Sequence, residues 1–261
     1  MGLKRLCQSL AWKLLPHAGL EVQTPGGLSL LIRDKGEWSC LGEIFVERVY
    51  EPFWPHLRDV RGWVDLGCNV GFFSLAMLDG LTQASGQRPR TRAFLGDANR
   101  VCLATALDNL RRNGLGDAWT CEHVVAGPPG ATVTFSQFKN SIHSGILSRQ
   151  KGERTFYYPT TDLKHLFDGL RDVFDLIKID IEGAEVFVFR HYAETLRRFR
   201  FGLCEWHAPD FTGPALRTAI QELGFEVREL RSQPHGWDRS RGHSWESPLG
   251  MVLWRNPSPV A

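Results

Sequence analysis

From Trp63 onward, short apolar runs alternate with stretches of helical spacing. The runs Trp63 to Leu66, Arg92 to Leu95, Thr120 to Val125, Asp175 to Ile181 and Phe201 to Trp206 are bounded by polar turns and read as strands. Strands that alternate with helices specify a parallel sheet with helices on both faces. The clearest helix follows the second strand, where Leu103, Ala106, Leu107 and Leu110 make one apolar stripe and Asn113-Gly114 supplies a stop. Near the C-terminus, Phe225 to Leu230 and Met251 to Trp254 are strand-like, with no helical pattern between them, and read as an antiparallel pair. The predicted fold class is therefore α/β, Rossmann-like and doubly wound. Its sheet is mostly parallel and seven-stranded, with an antiparallel C-terminal hairpin.

Upstream the pattern changes. Leu3, Leu6, Leu10 and Leu14 follow helical spacing, which predicts a helix packed on the domain, with a membrane-surface or partner helix as the rival reading. Lys13 interrupts the apolar stretch and no small-residue cleavage site follows, so a signal peptide is not expected. Leu28 to Ile32 and Glu43 to Val46 look like short strands or an edge hairpin, bounded by Pro25-Gly26-Gly27 and Lys35-Gly36. Residues 1–60 thus read as a small helix and strand cap, and residues 61–261 as the main domain. The polar stretch Thr82 to Thr91, with Gly86 and Pro89, reads as a surface loop without chemistry. No internal repeat, membrane-spanning segment or low-complexity tract is visible.

Composition adds bounds. A length of 261 residues at 43% hydrophobic content suits one large α/β domain, and a net charge of +2 argues against nucleic-acid coating or an acidic tail. The six cysteines are scattered without a C-x-x-C pair, which predicts reduced thiols and a cytoplasmic protein.

The first chemical signal is Trp63-Val64-Asp65-Leu66-Gly67-Cys68-Asn69-Val70-Gly71-Phe72-Phe73-Ser74, where an apolar strand delivers a carboxylate and two glycines into a turn that opens a helix. Glycines let the backbone turn sharply and approach a ligand, and a helix start presents free N–H groups. The spacing is G-x-x-x-G, not the G-x-G-x-x-G of a dinucleotide fingerprint, and it favours S-adenosylmethionine. An ordinary tight turn is the plain alternative. Asp97 ends the second strand, where its carboxylate can accept ribose hydroxyl protons or, alternatively, cap the next helix, a role Asn99 fills equally well.

The second signal is Asp175 to Glu185. Period-two alternation puts Ile177, Ile179 and Ile181 on one face and Lys178, Asp180 and Glu182 on the other. Charges on a central strand are costly unless they pair or bind a ligand, so they mark either a site at the strand's carboxyl end or a simple interior ion pair. On the next strand Glu205 and His207 share a face, with Cys204 and Trp206 on the other. Both strand ends should face one crevice.

Val64 to Ser74, Thr161-Asp162-Leu163, Ile177 to Glu185 and Cys204 to His207, with Glu43-Ile44-Phe45 and Tyr50 upstream, give residues of about 40 to 210 a resemblance to the FkbM family of S-adenosylmethionine-dependent methyltransferases. The resemblance implies the class I methyltransferase fold and O-methylation of a hydroxyl on a sugar, polysaccharide or polyketide-type product. By position it implies that Asp65, Gly67, Cys68, Asn69 and Gly71 hold the methionine portion of the cofactor. Asp97 and Ala98 would hold the ribose, where the family more often has glutamate-proline, and Val125 and Ala126 would border the adenine.

Methyl transfer to oxygen needs an acceptor proton removed. Lys178, Asp180, Glu205 and His207 are the available groups, with His207 or Asp180 expected as base and Lys178 as orienting cation. Alternatively Asp180, Glu205 and His207 ligate a divalent cation that acidifies the hydroxyl. The other rivals are an NAD(P)-dependent oxidoreductase and a non-catalytic binding module. The expected partner is a small-molecule or glycan acceptor, with no nucleic acid and no integral membrane segment. The fourth strand ends in Asp180-Ile181-Glu182-Gly183 and not in an Asn/Asp-Pro-Pro-aromatic turn, which disfavours amino-methylation of nucleic acid. Acceptor contacts are expected from Phe135 to Gly145, and more weakly from Arg231 to Ser247.

Overall fold

The computed structural model describes residues 19–137, 154–170, 174–207, 211–233 and 243–259. The predicted Leu3 to Leu14 helix lies outside them. The described chain opens with an antiparallel hairpin, β1 (Leu20–Gln23) and β2 (Ser29–Ile32). Next comes helix α1 (Lys35–Leu41), started by Asp34, whose extended backbone and side-chain bond to the Glu37 N–H make an N-cap. The chain does not then form the strand expected over Glu43 to Val46. Gly42–Val46 is a single π-helical turn in which the Glu47 N–H donates to the Gly42 carbonyl at 2.8 Å. A run such as Ile44-Phe45-Val46 fits a strand or a helix by pattern alone, and the cap at Asp34 commits it to the helix.

Seven strands form the central sheet in the order β10-β11-β9-β8-β3-β4-β5. Their bounds are β3 (Gly62–Leu66), β4 (Arg92–Asp97), β5 (Trp119–His123), β8 (Leu176–Ile179), β9 (Phe201–His207), β10 (Glu226–Gln233) and β11 (Leu249–Arg255). The pairs β3–β4, β3–β8, β4–β5 and β8–β9 are parallel, and β11 runs antiparallel between β9 and β10. This is the predicted doubly wound, mostly parallel sheet with a C-terminal hairpin.

Successive residues of a strand point to opposite faces, so each strand feeds two apolar layers. Trp63, Leu95 and Leu176 pack on one side with Phe72, Leu75, Leu103 and Leu110 of helices α2 (Phe72–Ser85) and α3 (Arg100–Arg112). Val64, Phe94 and Ile177 pack on the other side, which also holds Leu163 and Phe167 of α4 (Leu163–Gly169), Val188 and Phe189 of α5 (Glu185–His191), and Leu216 and Ile220 of α7 (Gly213–Glu222). A short helix α6 (Ala193–Leu196) links α5 to β9. The N-terminal hairpin is pinned to α3 by side-chain amides: Asn109 Oδ1 accepts from the Leu31 N–H at 2.8 Å, and Asn113 Oδ1 from the Ser29 N–H at 2.9 Å.

Two loop expectations change. Helix α2 runs to Ser85, so the polar connection begins only at Gly86. Phe135 to Gln137 close strand β6 (Thr132–Gln137), which pairs antiparallel with β7 (Arg154–Pro159) outside the main sheet. The remainder of the predicted acceptor segment, 138–145, lies outside the described residues. So does 234–242 of the second one. Among the described residues, no helix is long and apolar enough to cross a membrane.

Candidate active site

The carboxyl ends of β3, β4, β8 and β9 open onto one cavity of about 290 Å³. Of the residues singled out from sequence, Gly67, Cys68, Asn69, Asp97, Ala98, Ala126, Lys178, Asp180, Glu205 and His207 line it. The turn after β3 alternates into left-handed backbone at Gly67 (φ +74°), Asn69 (φ +50°) and Gly71 (φ +82°). Gly67 has no substitute, because a Cβ there would stand 1.6 Å from the Asp180 carbonyl oxygen. Asn69 is among the few side chains that tolerate this conformation.

Asp97 fastens the turn to β4. Its Oδ2 accepts from the Asn69 N–H at 2.8 Å and its Oδ1 from the Asn99 N–H at 2.7 Å. The helix cap is Asn99, whose side chain accepts from the Val101 N–H, so Asp97 is free of that duty and faces the cavity. Burial pushes the Asp97 carboxyl up to about 6, against the pull of its two backbone donors. Beside it, the Asn69 Oδ1 is buried with no hydrogen-bond partner. A buried acceptor without a donor is costly, and a ligand N–H or O–H at this point would remove that cost.

Behind the turn lies a buried charge relay. Lys178 Nζ sits 3.2 Å from Asp65 Oδ1 and 3.2 Å from Asp180 Oδ2, and donates to the Gly67 carbonyl at 2.8 Å. Burial disfavours the ammonium, but Asp180 and Asp65 outweigh it and hold the lysine well above its ordinary range. Asp65 is fully buried, with Oδ2 accepting from Ser74 Oγ at 2.7 Å. The direct ligand contact expected of Asp65 is therefore corrected: it anchors Lys178 and the start of α2 from beneath.

Across the cavity, a cluster of carboxylates is built around His207. Its Nδ1 bonds Glu185 Oε1 at 3.0 Å, and Glu185 Oε1 also accepts from the Ile181 and Gly183 N–H groups at 3.1 and 3.2 Å. His207 Nε2 then faces Glu182 Oε2 at 3.8 Å, Asp180 Oδ1 at 3.9 Å and Glu205 Oε1 at 3.9 Å. Burial opposes charge on the imidazole, but the Glu185 hydrogen bond and the surrounding carboxylates raise it well above its usual value. Burial also pushes Glu182 up to about 8, and Glu205 well above the carboxyl range, with the charge of His207 working the other way. Glu182 is held in left-handed backbone (φ +53°), a strained state for a residue with a side chain.

The FkbM methyltransferase domain profile matches residues 87–227, more than half of the 261-residue chain. The chain belongs to the FkbM methyltransferase family. The matched span contains Asp97, the Lys178 to Glu185 strand and turn, Glu205 and His207, while the glycine turn precedes it. The chain is also similar to methyltransferase sdnD of Sordaria araneosa, at 23% identity over 244 residues, 78% of this chain and 91% of that one. Among solved structures it is similar to a protein from Streptococcus mutans assigned as a SAM-dependent methyltransferase, with a TM-score of 0.51, 13% identity, and coverage of 92% of this chain and 56% of that chain. A further likeness is to M. capricolum TrmK in complex with S-adenosyl-homocysteine, with a TM-score of 0.47, 9% identity, and coverage of 81% of this chain and 69% of that chain. The Streptococcus mutans likeness speaks to the fold alone, and that fold is the class I methyltransferase sheet that the family resemblance implies.

For this FkbM chain three further expectations are corrected. Val125 does not border the cavity: its N–H donates to Thr161 Oγ1 at 3.0 Å and its carbonyl accepts from the Thr161 N–H at 2.9 Å, leaving Val124 and Ala126 to line the wall. Gly71 lies behind the lining as the start of α2. Among the described residues, the trio that offers ligand atoms within 4.8 Å of one another is Asp180, Glu185 and His207, with Glu185 in the place expected of Glu205. Neither the family match nor the relatives speak for a divalent cation. Sequence reasoning missed Glu185 because the chain leaves strand geometry at Asp180, and period-two counting ends there. It also missed Glu43 and Ile44, which reach the cavity from the π-helical turn.

Proposed function

We propose that this chain is an S-adenosylmethionine-dependent O-methyltransferase acting on a hydroxyl of a small molecule or glycan. The carrying observation is the juxtaposition of two unlike half-sites in one cavity: a glycine turn fastened by Asp97, with the unpartnered Asn69 Oδ1, and a carboxylate cluster around His207. The first half suits S-adenosylmethionine. Asn69 and Asp97 would hold its polar groups, and Val124, Ala126 and Phe135 would give the adenine an apolar wall. Bound there, the cofactor supplies an electrophilic methyl group on a sulfonium.

The chain's own task is then to place an acceptor oxygen and take its proton. Lys178 is not the base, because its ammonium is fully engaged by Asp65, Asp180 and the Gly67 carbonyl. His207, one of the two expected bases beside Asp180, is held in its protonated form by Glu185 and its neighbours, so that assignment is revised. Glu182 takes the role: it lines the cavity, it is half-buried yet the most exposed of the cluster's carboxyls at 37%, and burial raises its carboxyl to about 8. As the acceptor O–H bond breaks, the proton passes to a Glu182 oxygen, while His207 and Lys178 offset the negative charge of Asp180.

Calorimetric titration tests the cofactor half. S-adenosylhomocysteine should bind the wild type and lose about 10- to 100-fold in affinity in Asp97→Ala, as for a lost hydrogen bond to a charged group. NAD should not bind. Binding of NAD with indifference to S-adenosylhomocysteine would replace this reading with the oxidoreductase one.

A further inference from the structure

At the amino ends of β3 and β4, opposite the carboxyl ends that open onto the candidate active site, lies an open groove of about 920 Å³. Arg61, Arg88, Arg90 and Arg92 line it, against a wall of Gly114, Leu115 and Ala118. Three of these arginines come from one segment. Arg88, Arg90 and Arg92 are exposed, while Thr91 between them is buried with its Oγ1 accepting from Trp119 Nε1 at 3.3 Å. That alternation is the signature of an extended chain, which turns the three guanidinium groups to one side.

Some arginines on the surface are already neutralised by a carboxylate. Arg33, Arg112, Arg198 and Arg200 each reach a carboxylate, on Asp108, Glu21, Asp168 and Asp59 respectively. Among the described residues, no carboxylate lies within ion-pair distance of the guanidinium of Arg61, Arg88 or Arg90. Two of them are instead held by uncharged carbonyls. Arg61 Nη1 donates to the Arg58 and Val60 carbonyls, both at 2.8 Å, and Arg88 Nη2 donates to the Asn113 carbonyl at 2.7 Å. The carboxylate in the lining, Asp175, is taken by the Arg61 backbone N–H at 3.1 Å and by Arg200 Nη2 at 3.5 Å. The guanidinium groups of Arg61 and Arg88 are therefore fixed in position without being neutralised, and each keeps unused N–H donors. This is the arrangement that favours a tetrahedral oxyanion, because a planar guanidinium matches two phosphate oxygens at once and little side-chain freedom remains to be lost.

We propose that this groove binds the phosphate group of an anionic ligand, held by Arg61, Arg88 and Arg90. The site is independent of the methyl-transfer cavity. Its ligand is either a soluble phosphate ester or the headgroup of an anionic lipid.

The full chain can be titrated with inorganic pyrophosphate by calorimetry and, separately, sedimented with phosphatidylglycerol or phosphatidylcholine vesicles at about 0.15 M salt. Pyrophosphate should bind saturably, at least tenfold more weakly to the Arg88→Gln/Arg90→Gln variant, with unchanged affinity for S-adenosylhomocysteine and an unchanged unfolding midpoint. The Arg88→Lys/Arg90→Lys variant should bind pyrophosphate more weakly than the wild type but better than the glutamine pair, since lysine keeps the charge and loses the fork. Pyrophosphate binding together with sedimentation on phosphatidylglycerol alone assigns the phosphate to a lipid headgroup; pyrophosphate binding without sedimentation assigns it to a soluble ester. No pyrophosphate binding by the wild type, whether or not vesicles bind, or equal binding by wild type and glutamine pair, overturns the proposal.

Discussion

The imidazole of His207 is aimed by Glu185, whose Oε1 meets its Nδ1 at 3.0 Å from a fully buried position. Because the same oxygen also accepts from the Ile181 and Gly183 N–H groups, neither carboxylate nor ring can swing. Glutamine at 185 keeps a carbonyl acceptor and removes the charge. Glu185→Gln should lower the His207 titration midpoint towards that of an ordinary histidine, followed by the imidazole C–H resonances in NMR. An unmoved midpoint would show that Glu185 does not set the protonation of the ring.

The proposed base gives a pH profile of defined sign. A base acts only when deprotonated, and Glu182 is raised to about 8 by burial, so kcat/KM should climb as pH rises towards 8 and level off above it. Glu182→Gln should lose about 10²- to 10⁴-fold in kcat and abolish the climb. A variant that keeps the same rising limb would shift the role to another carboxyl of the cluster.

Gly67 and Gly71 share positive φ but not surroundings. A Cβ at Gly67 meets backbone at 1.6 Å, whereas one at Gly71 meets the end of Leu95, Cδ2, at 3.3 Å. Gly71→Ala should cost about 1–2 kcal/mol of stability, from backbone strain, and Gly67→Ala clearly more, with loss of cofactor binding as the turn is forced off Asp180. Urea unfolding of the two variants checks the order, and equal losses would contradict it.

Lys178 is the cation shared by Asp65 and Asp180 in the interior. Lys178→Met leaves Asp65 buried without its counter-charge and should destabilise by about 3–5 kcal/mol. Adding Asp65→Asn should return part of that loss. Additive losses in the double variant, measured by urea unfolding, would mean the two side chains are not coupled.

Much of the fold was legible because each central strand is an apolar run closed by polar residues, and strands that alternate with helices give a parallel sheet. Glu43 to Val46 and the β6–β7 pair were not. The first has a composition shared by strand and helix. In the second, exposed and half-buried residues alternate on a two-stranded arm, so Thr132 to Gln137 carries little apolar signal. The site was legible at strand ends, where Asp97, Lys178, Asp180, Glu205 and His207 all line one cavity. It was not legible at Asp65 and Val125, which do not line the cavity. Nor was it at Glu185, placed by a turn through Glu182 and Gly183 that strand periodicity cannot foresee.

The close approach of Gly67 to Asp180 joins the two half-sites mechanically. The turn after β3 and the turn after β8 touch backbone to backbone, and are tied again by the Asp180 N–H to the Leu66 carbonyl at 3.1 Å and by Lys178 to the Gly67 carbonyl. Neither turn can shift without carrying the other. If occupancy of one half-site moves its turn, the other turn moves with it, and by reciprocity any factor by which one ligand changes the affinity for the second is returned equally by the second to the first.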